Sequence, residues 1–257
     1  KIKTVIKKLI TICLITIICV CGYRIYNTLN EYQKSDSLYS DLRKQKEANL
    51  SKNNTDSNTE NSSTVNTIDL SSVSKDFVCW INIENTNIDY PVVQGNDNSY
   101  YLHRDIYGNY LYAGTVFLDY RDDYNNSKNL IIYGHNMKNG SMFAQLKKFS
   151  QDEETYKKSK YFWILTPEKN YRYEIISAYT TGVNSDTYTL FKGPGEEFTE
   201  YLKKIRGYSE IQTDSGEMTV KDKIVTLSTC TGNEATRYVV QGKRVNSLDV
   251  VKNNTQQ

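Results

Sequence analysis

Eight short runs rich in β-branched and aromatic residues, at 77–83, 88–94, 114–120, 129–135, 161–165, 171–180, 218–229 and 237–245, set the tightest limit on what this chain can become. Runs of this length, separated by turn-forming residues, read as strands, and eight of them suit a barrel. Helical insertions are expected at 98–104, at 141–149 with a continuation toward 160, and at 196–206. In the last of these, Phe198, Tyr201, Leu202 and Ile205 fall at i, i+3, i+4 and i+7, which marks one core-facing side. Gly193-Pro194-Gly195 ahead of it reads as a turn. The pattern by itself supports a mainly β, α+β domain.

The rest of the chain adds length without a second core. At 257 residues it has room for two domains, but its first third is too polar and repetitive to bury much, so one globular domain is expected. A net charge of +2 is too mild to favour nucleic acid, whose phosphates need a concentrated basic face. Residues 1–8 form a basic tail carrying Lys1, Lys3, Lys7 and Lys8, ahead of an apolar segment at 9–24 that ends on Arg24. That charge order places the tail in the cytoplasm and the remainder outside. The apolar stretch is ~15 residues against the ~20 that span hydrocarbon, so Lys8 and Arg24 would snorkel. No small-x-small cleavage site closes it, and the bulky Val20 before Cys21-Gly22 is unlike a lipoprotein signal, so an uncleaved membrane anchor is expected. A stalk and linker follow at 25–68, helical to about residue 48 with Leu38 and Leu42 on a weak apolar stripe, then a polar tether at 49–67. The catalytic domain is assigned to 69–246 and a polar tail to 247–257.

Chemistry concentrates at strand ends. Thr226-Leu-Ser-Thr-Cys230-Thr-Gly-Asn carries a lone thiol to a strand tip, and Arg237 returns on the next run seven positions later. Asn129-Leu-Ile-Ile-Tyr133-Gly-His135 ends another apolar run on an imidazole. Thiolate as nucleophile, imidazole as proton carrier and guanidinium as oxyanion donor form a consistent set. Cys79, in the strand-like Phe77-Val-Cys79-Trp-Ile, is expected to be buried and inert, although a disulfide to Cys230 in an extracellular domain is the structural alternative. Cys13, Cys19 and Cys21 lie in the apolar segment as small hydrophobes. His103 falls on the expected helix at 98–104 as a solvated or capping residue, and Asp119, Asp122 and Asp123 read as a solvated loop run.

These residues resemble the sortase family, cysteine transpeptidases anchored outside Gram-positive cells, whose signature is a Thr-Leu-x-Thr-Cys strand with a downstream Arg and an upstream His. Class B is most similar, through Asp89-Tyr-Pro-Val-Val-Gln, Asp97-Asn-Ser-Tyr-Tyr-Leu, Gly114-Thr-Val-Phe-Leu-Asp-Tyr and Tyr133-Gly-His-Asn-Met-Lys-Asn-Gly-Ser-Met-Phe, over roughly 77–245. The resemblance implies a closed eight-stranded β-barrel with short helical insertions, preceded by an N-terminal helix. It implies Cys230, His135 and Arg237 as the catalytic set, cleaving a sorting signal after Thr through a thioacyl enzyme and passing the acyl group to a peptidoglycan amine. Substrate positioning is implied for Asn98, Leu102, Tyr133, Ser228, Thr231 and the loop of Thr187, Tyr188 and Leu190. No metal and no cofactor are expected; the implied partners are sorting-signal peptides of secreted proteins, peptidoglycan or its lipid-linked precursor, and the membrane. The short Cys230 to Arg237 connection departs from the longer loop expected of class B and leaves that loop's substrate contacts open. A cysteine endopeptidase using water, and a non-catalytic wall-binding protein with a structural Cys230, are the competing functions.

Overall fold

The computed structural model describes residues 2–55 and 70–245, so the tether beyond residue 55, the domain start near 69 and the tail at 247–257 lie outside the described residues. Eight strands close on themselves: β1 (Phe77–Ile83), β2 (Asp89–Val93), β3 (Val116–Leu118), β4 (Asn129–Tyr133), β5 (Tyr161–Leu165), β6 (Asn170–Gly182), β7 (Ile224–Cys230) and β8 (Thr236–Val245). Their order around the barrel is β1-β2-β3-β4-β7-β8-β6-β5. Pairing is antiparallel except at β2 with β3 and β4 with β7. Each parallel pair needs a crossover, and the long segments at 94–115 and 134–223 carry these connections. The closed barrel expected from the resemblance is therefore present.

The strand interiors show why. β7 reads Ile-Val-Thr-Leu-Ser-Thr-Cys and is buried on every residue except the last, as befits a strand with a parallel neighbour and covered faces. Trp80, Ile81, Val92, Phe162, Tyr173, Leu227 and Val240 fill one core. A second cluster lies under α4 (Glu196–Tyr208), whose Phe198, Tyr201, Leu202 and Ile205 are all buried, with Ile176, Phe191 and Ile224 beneath them. The apolar stripe expected from spacing is thus this packing face.

Several local expectations are corrected. The helix expected at 98–104 is only a 3-10 turn at Tyr100–His103, because Asp97 Oδ1 takes the backbone N–H groups of Ser99 and Tyr100 and holds a tight turn. The segment at 141–160 divides into a 3-10 turn (Ala144–Lys147), α2 (Lys148–Gln151) and α3 (Glu153–Lys158). The break falls at Asp152, whose extended backbone starts α3 while its side chain caps the Glu154 N–H. The run at 218–229 is strand only from Ile224, since Thr219 and Asp222 close a turn before it.

α1 (Ile2–Thr55) is one continuous helix and extends into the expected tether. Its apolar N-terminal part is exposed and is long and apolar enough to cross a membrane. Farther along, Tyr39 and Leu42 enter the barrel core, with Leu38 packed against it. Lys46 bridges Asp89 at 2.6 Å, and the same carboxylate accepts from Trp80 Nε1 at 2.6 Å. The tyrosine rings of residues 39 and 90 meet edge to face at 5.0 Å. Tyr90 Oη in turn accepts the Met142 N–H, just beyond the loop that begins at His135.

One glycine is indispensable to the site's frame. Gly114 has φ +58°, and a Cβ there would stand 2.2 Å from the Leu102 carbonyl oxygen and 2.5 Å from that of Tyr101. Both the left-handed backbone and the backbone-to-backbone approach forbid a side chain. Gly114→Ala is expected to destabilise the fold by about 2 kcal/mol or more, read from the urea midpoint, because the clash is with carbonyls that cannot swing aside.

Candidate active site

Cys230 ends β7 and Arg237 lies on β8, and the register pairs these two residues directly. Paired Cα atoms on antiparallel strands stand about 4.5–5.5 Å apart, so thiol and guanidinium share one rim. The six residues between them turn on Gly232, at φ +98°, and on Asn233, whose Oδ1 accepts the Ala235 N–H at 2.9 Å. Arg237 Nη1 donates to the carbonyls of Glu234 and Thr236, both at 2.9 Å, which ties one arm of the fork to this loop. Asn136 Nδ2 donates to the Cys230 carbonyl at 2.8 Å and fixes the strand end from the other side.

His135 sits two residues beyond β4, the parallel neighbour of β7, and Gly134 still reaches the Ser228 carbonyl at 3.1 Å. Its ring Nε2 lies 2.7 Å from the Leu102 carbonyl oxygen. A carbonyl only accepts, so Nε2 carries the proton and Nδ1 keeps the lone pair. Burial holds the imidazole below its ordinary range; the Leu102 carbonyl works against this and the neighbouring His103 adds to it. The ring is therefore neutral at pH 7.

Cys230, His135 and Arg237 line one cleft of about 320 Å³. Asn98, Leu102, Tyr133, Tyr188 and Ser228 line it too, whereas Leu190 and Thr231 are not among its walls. The Thr231 hydroxyl turns instead to Thr236 Oγ1 at 2.5 Å inside the short loop. Tyr188 Oη meets Ser228 Oγ at 2.9 Å, and its ring stacks on Tyr133 at 6.3 Å. The loop behind Tyr188 is fastened by a buried network: Asn129 Nδ2 reaches the carbonyls of Thr187 and Thr189, and Tyr201 Oη donates to that of Thr187 at 3.0 Å. Buried and fully bonded, such a network holds the loop in one position. The thiols of Cys79 and Cys230 are both free. Cys79 is buried, and burial pushes its thiol up, out of reach of ionisation at neutral pH.

The acidic run is the main correction. Asp119 is fully buried and Asp122 nearly so; only Asp123 is exposed. Asp119 receives Arg121 Nε and Nη2 at 2.9 Å each, the Arg121 backbone N–H, Asn98 Nδ2 at 2.9 Å and Tyr133 Oη at 3.0 Å. Burial raises the cost of its charge, but these donors together hold the carboxyl below its usual range. Asn98, Tyr133 and Arg121 are cleft walls, so one carboxylate sets three of them. Asp122 accepts the Ile131 N–H at 2.8 Å, and burial pushes it up to about 6. Phe117, Arg121, Gly134, Val183 and Thr229, not singled out from sequence, complete the walls. Arg121 alone had a sequence signal, an arginine two positions after an acid at the end of a strand-like run.

Asp119→Asn places an amide NH₂ against groups that all donate. It is expected to lose about 2–4 kcal/mol of stability at pH 7, measured by urea unfolding. Because the folded carboxyl titrates below its unfolded value, its contribution is present above that unfolded value and fades as pH falls through the folded one. The gap between wild type and variant therefore narrows on acidification.

His103, expected on a helix in a solvated or capping role, closes the 3-10 turn and remains exposed. Its ring stacks on that of His135, with centroids 5.3 Å apart and planes inclined by 22°.

With this geometry in place, comparison with known proteins gives a consistent picture. The family model for the sortase domain matches residues 81–245. The chain is similar to Sortase B of Listeria monocytogenes, 35% identical over 251 residues that cover 95% of this chain and 99% of that protein. Among solved structures it resembles a Staphylococcus aureus sortase B–substrate complex, with TM-score 0.74, 28% identity, and coverage of 84% of this chain and 99% of that one. It also resembles Clostridium perfringens sortase B, with TM-score 0.64, 33% identity, and coverage of 69% and 98%.

Proposed function

This chain belongs to the sortase family of cysteine transpeptidases, in its class B branch, and from that premise we propose that Cys230, His135 and Arg237 cleave a sorting signal and transfer its acyl group to a cell-wall amine. The observation that carries the reading is the β7–β8 register pairing of Cys230 with Arg237 in the same cleft as His135.

His135 takes the thiol proton, Cys230 thiolate attacks the carbonyl carbon of the signal's Thr, and negative charge collects on the carbonyl oxygen. Arg237 meets that oxygen with the arm of its fork not held by Glu234 and Thr236. Collapse breaks the C–N bond, and His135 passes its proton to the departing amine, leaving a thioester on Cys230. An incoming amine then attacks the thioester, His135 removes its proton, and the thiolate leaves. Nδ1 is the nitrogen that cycles, since Nε2 is committed to Leu102. Peptidoglycan or its lipid-linked precursor supplies the acceptor. The exposed apolar part of α1 serves as the membrane anchor, with the barrel outside the cell.

The test adds a glycine-based amine to the protein and a fluorescent sorting peptide. Ligated product that rises with amine concentration supports transfer; hydrolysis alone, whatever the amine, would make the protein a peptidase.

A further inference from the structure

Both histidines of the chain meet at one place. The turn at Tyr100–His103 touches His135 twice: the Leu102 carbonyl takes Nε2–H in the plane of the ring, and the ring of the next residue, His103, covers its face. His103 is itself fixed. Its Nδ1 donates to the Tyr112 carbonyl at 3.0 Å, and its ring lies beside those of Tyr110 and Tyr112, at 6.4 and 6.2 Å. The backbone agrees, since the Leu111 N–H bonds the His103 carbonyl at 3.1 Å.

We propose that His103 is a positioning residue for the proposed reaction: its ring sets the plane of His135 and opposes protonation of that imidazole. An edge-on hydrogen bond alone lets a ring rotate about that bond; a stacked face removes this freedom. A positive charge so close to the His135 ring opposes a proton there. Burial foremost, and the neighbouring His103 in addition, act to hold the His135 imidazole below its ordinary range. Other groups face the pair. On the cleft side His135 shares walls with Cys230, Arg237, Arg121, Tyr133 and Tyr188. On the outer side His103 lines a second cavity with Asp97, Ser99, Tyr100, Arg104 and Tyr110. Arg104 is occupied there, over the Tyr100 ring at 4.8 Å and bonded to the Gly108 carbonyl.

With two histidines, a ¹³Cε1-histidine NMR titration of the full chain in detergent micelles yields two signals, one for each ring. His103→Phe keeps an aromatic face without a charge; His103→Ala removes both. In both variants the His135 signal is expected to titrate in a single step with its midpoint moved to higher pH than in the wild type. For a sorting peptide, kcat is expected to fall about tenfold in His103→Ala and less in His103→Phe, with KM nearly unchanged. An unmoved His135 midpoint overturns the opposition to its protonation. A kcat in His103→Ala equal to wild type overturns the positioning role. The kcat arm rests on the proposed transpeptidation, whereas the titration does not: were that reading wrong, the wild type and both variants alike would fail to turn over the sorting peptide while the midpoint shift remained.

Discussion

Cys230→Ala is expected to lose turnover of a sorting-signal peptide by at least about 10⁴-fold while keeping the fold. The loss is that large because no other thiol can substitute. Cys79 is buried in the barrel, with its thiol pushed up by burial, and Cys13, Cys19 and Cys21 stand on the apolar part of α1. The fold survives because Cys230 ends β7 and is half-exposed, so removing its sulfur leaves no sizeable core cavity; the urea midpoint should move by less than about 1 kcal/mol equivalent. The strand end is held by backbone groups, with Asn136 on the Cys230 carbonyl and the register to Arg237, and none of these depends on the thiol. His135 and Arg237 therefore stay in place, and the variant should still bind peptide with little change in affinity. Residual turnover near the wild-type rate would show that the chemistry lies elsewhere.

Arg237→Lys is expected to cost about 10²–10³-fold in kcat with a small effect on KM. Charge is conserved, so a purely electrostatic role would survive the change. Geometry is not conserved. The guanidinium bonds the carbonyls of Glu234 and Thr236 through Nη1, and its rigid fork then aims the remaining donors from a fixed base. A lysine ammonium has a single nitrogen on a flexible stem, so it either caps the loop or approaches the oxyanion. The oxyanion exists only in the transition state, which is why kcat carries the loss. A lysine variant with nearly full kcat would reduce Arg237 to a general positive charge.

Much of this was legible in the sequence because the relevant signals are local. The α4 stripe of Phe198, Tyr201, Leu202 and Ile205 is a period that only one helical face can satisfy, and all four are buried. Cys230, His135 and Arg237 could be located at strand tips because apolar runs end beside them. What escaped the sequence depends on partners distant along the chain. Tyr39 and Leu42 dock α1 on the barrel, yet the helix shows only a weak stripe, since few positions make contact and the rest face outward. Asp119 looked like a solvated acid because its donors, Asn98 and Tyr133, come from 21 and 14 positions away. His103 is exposed as expected, but its stacking on His135 is not legible in the sequence, that partner being on a different connection. The segment 98–104 reads as a helix in the sequence but holds only a 3-10 turn at Tyr100–His103, because the Asp97 cap competes with helical bonding in a way composition does not reveal.

The most direct measurement is the mass of the full chain after brief incubation with a sorting-signal peptide, followed by mapping of the modified fragment. The structure predicts an added mass equal to the signal's N-terminal portion through Thr, located on Cys230, removed by added amine and absent in Cys230→Ala. An adduct on another residue, or peptide cleavage with no acyl enzyme at any time, would contradict the account.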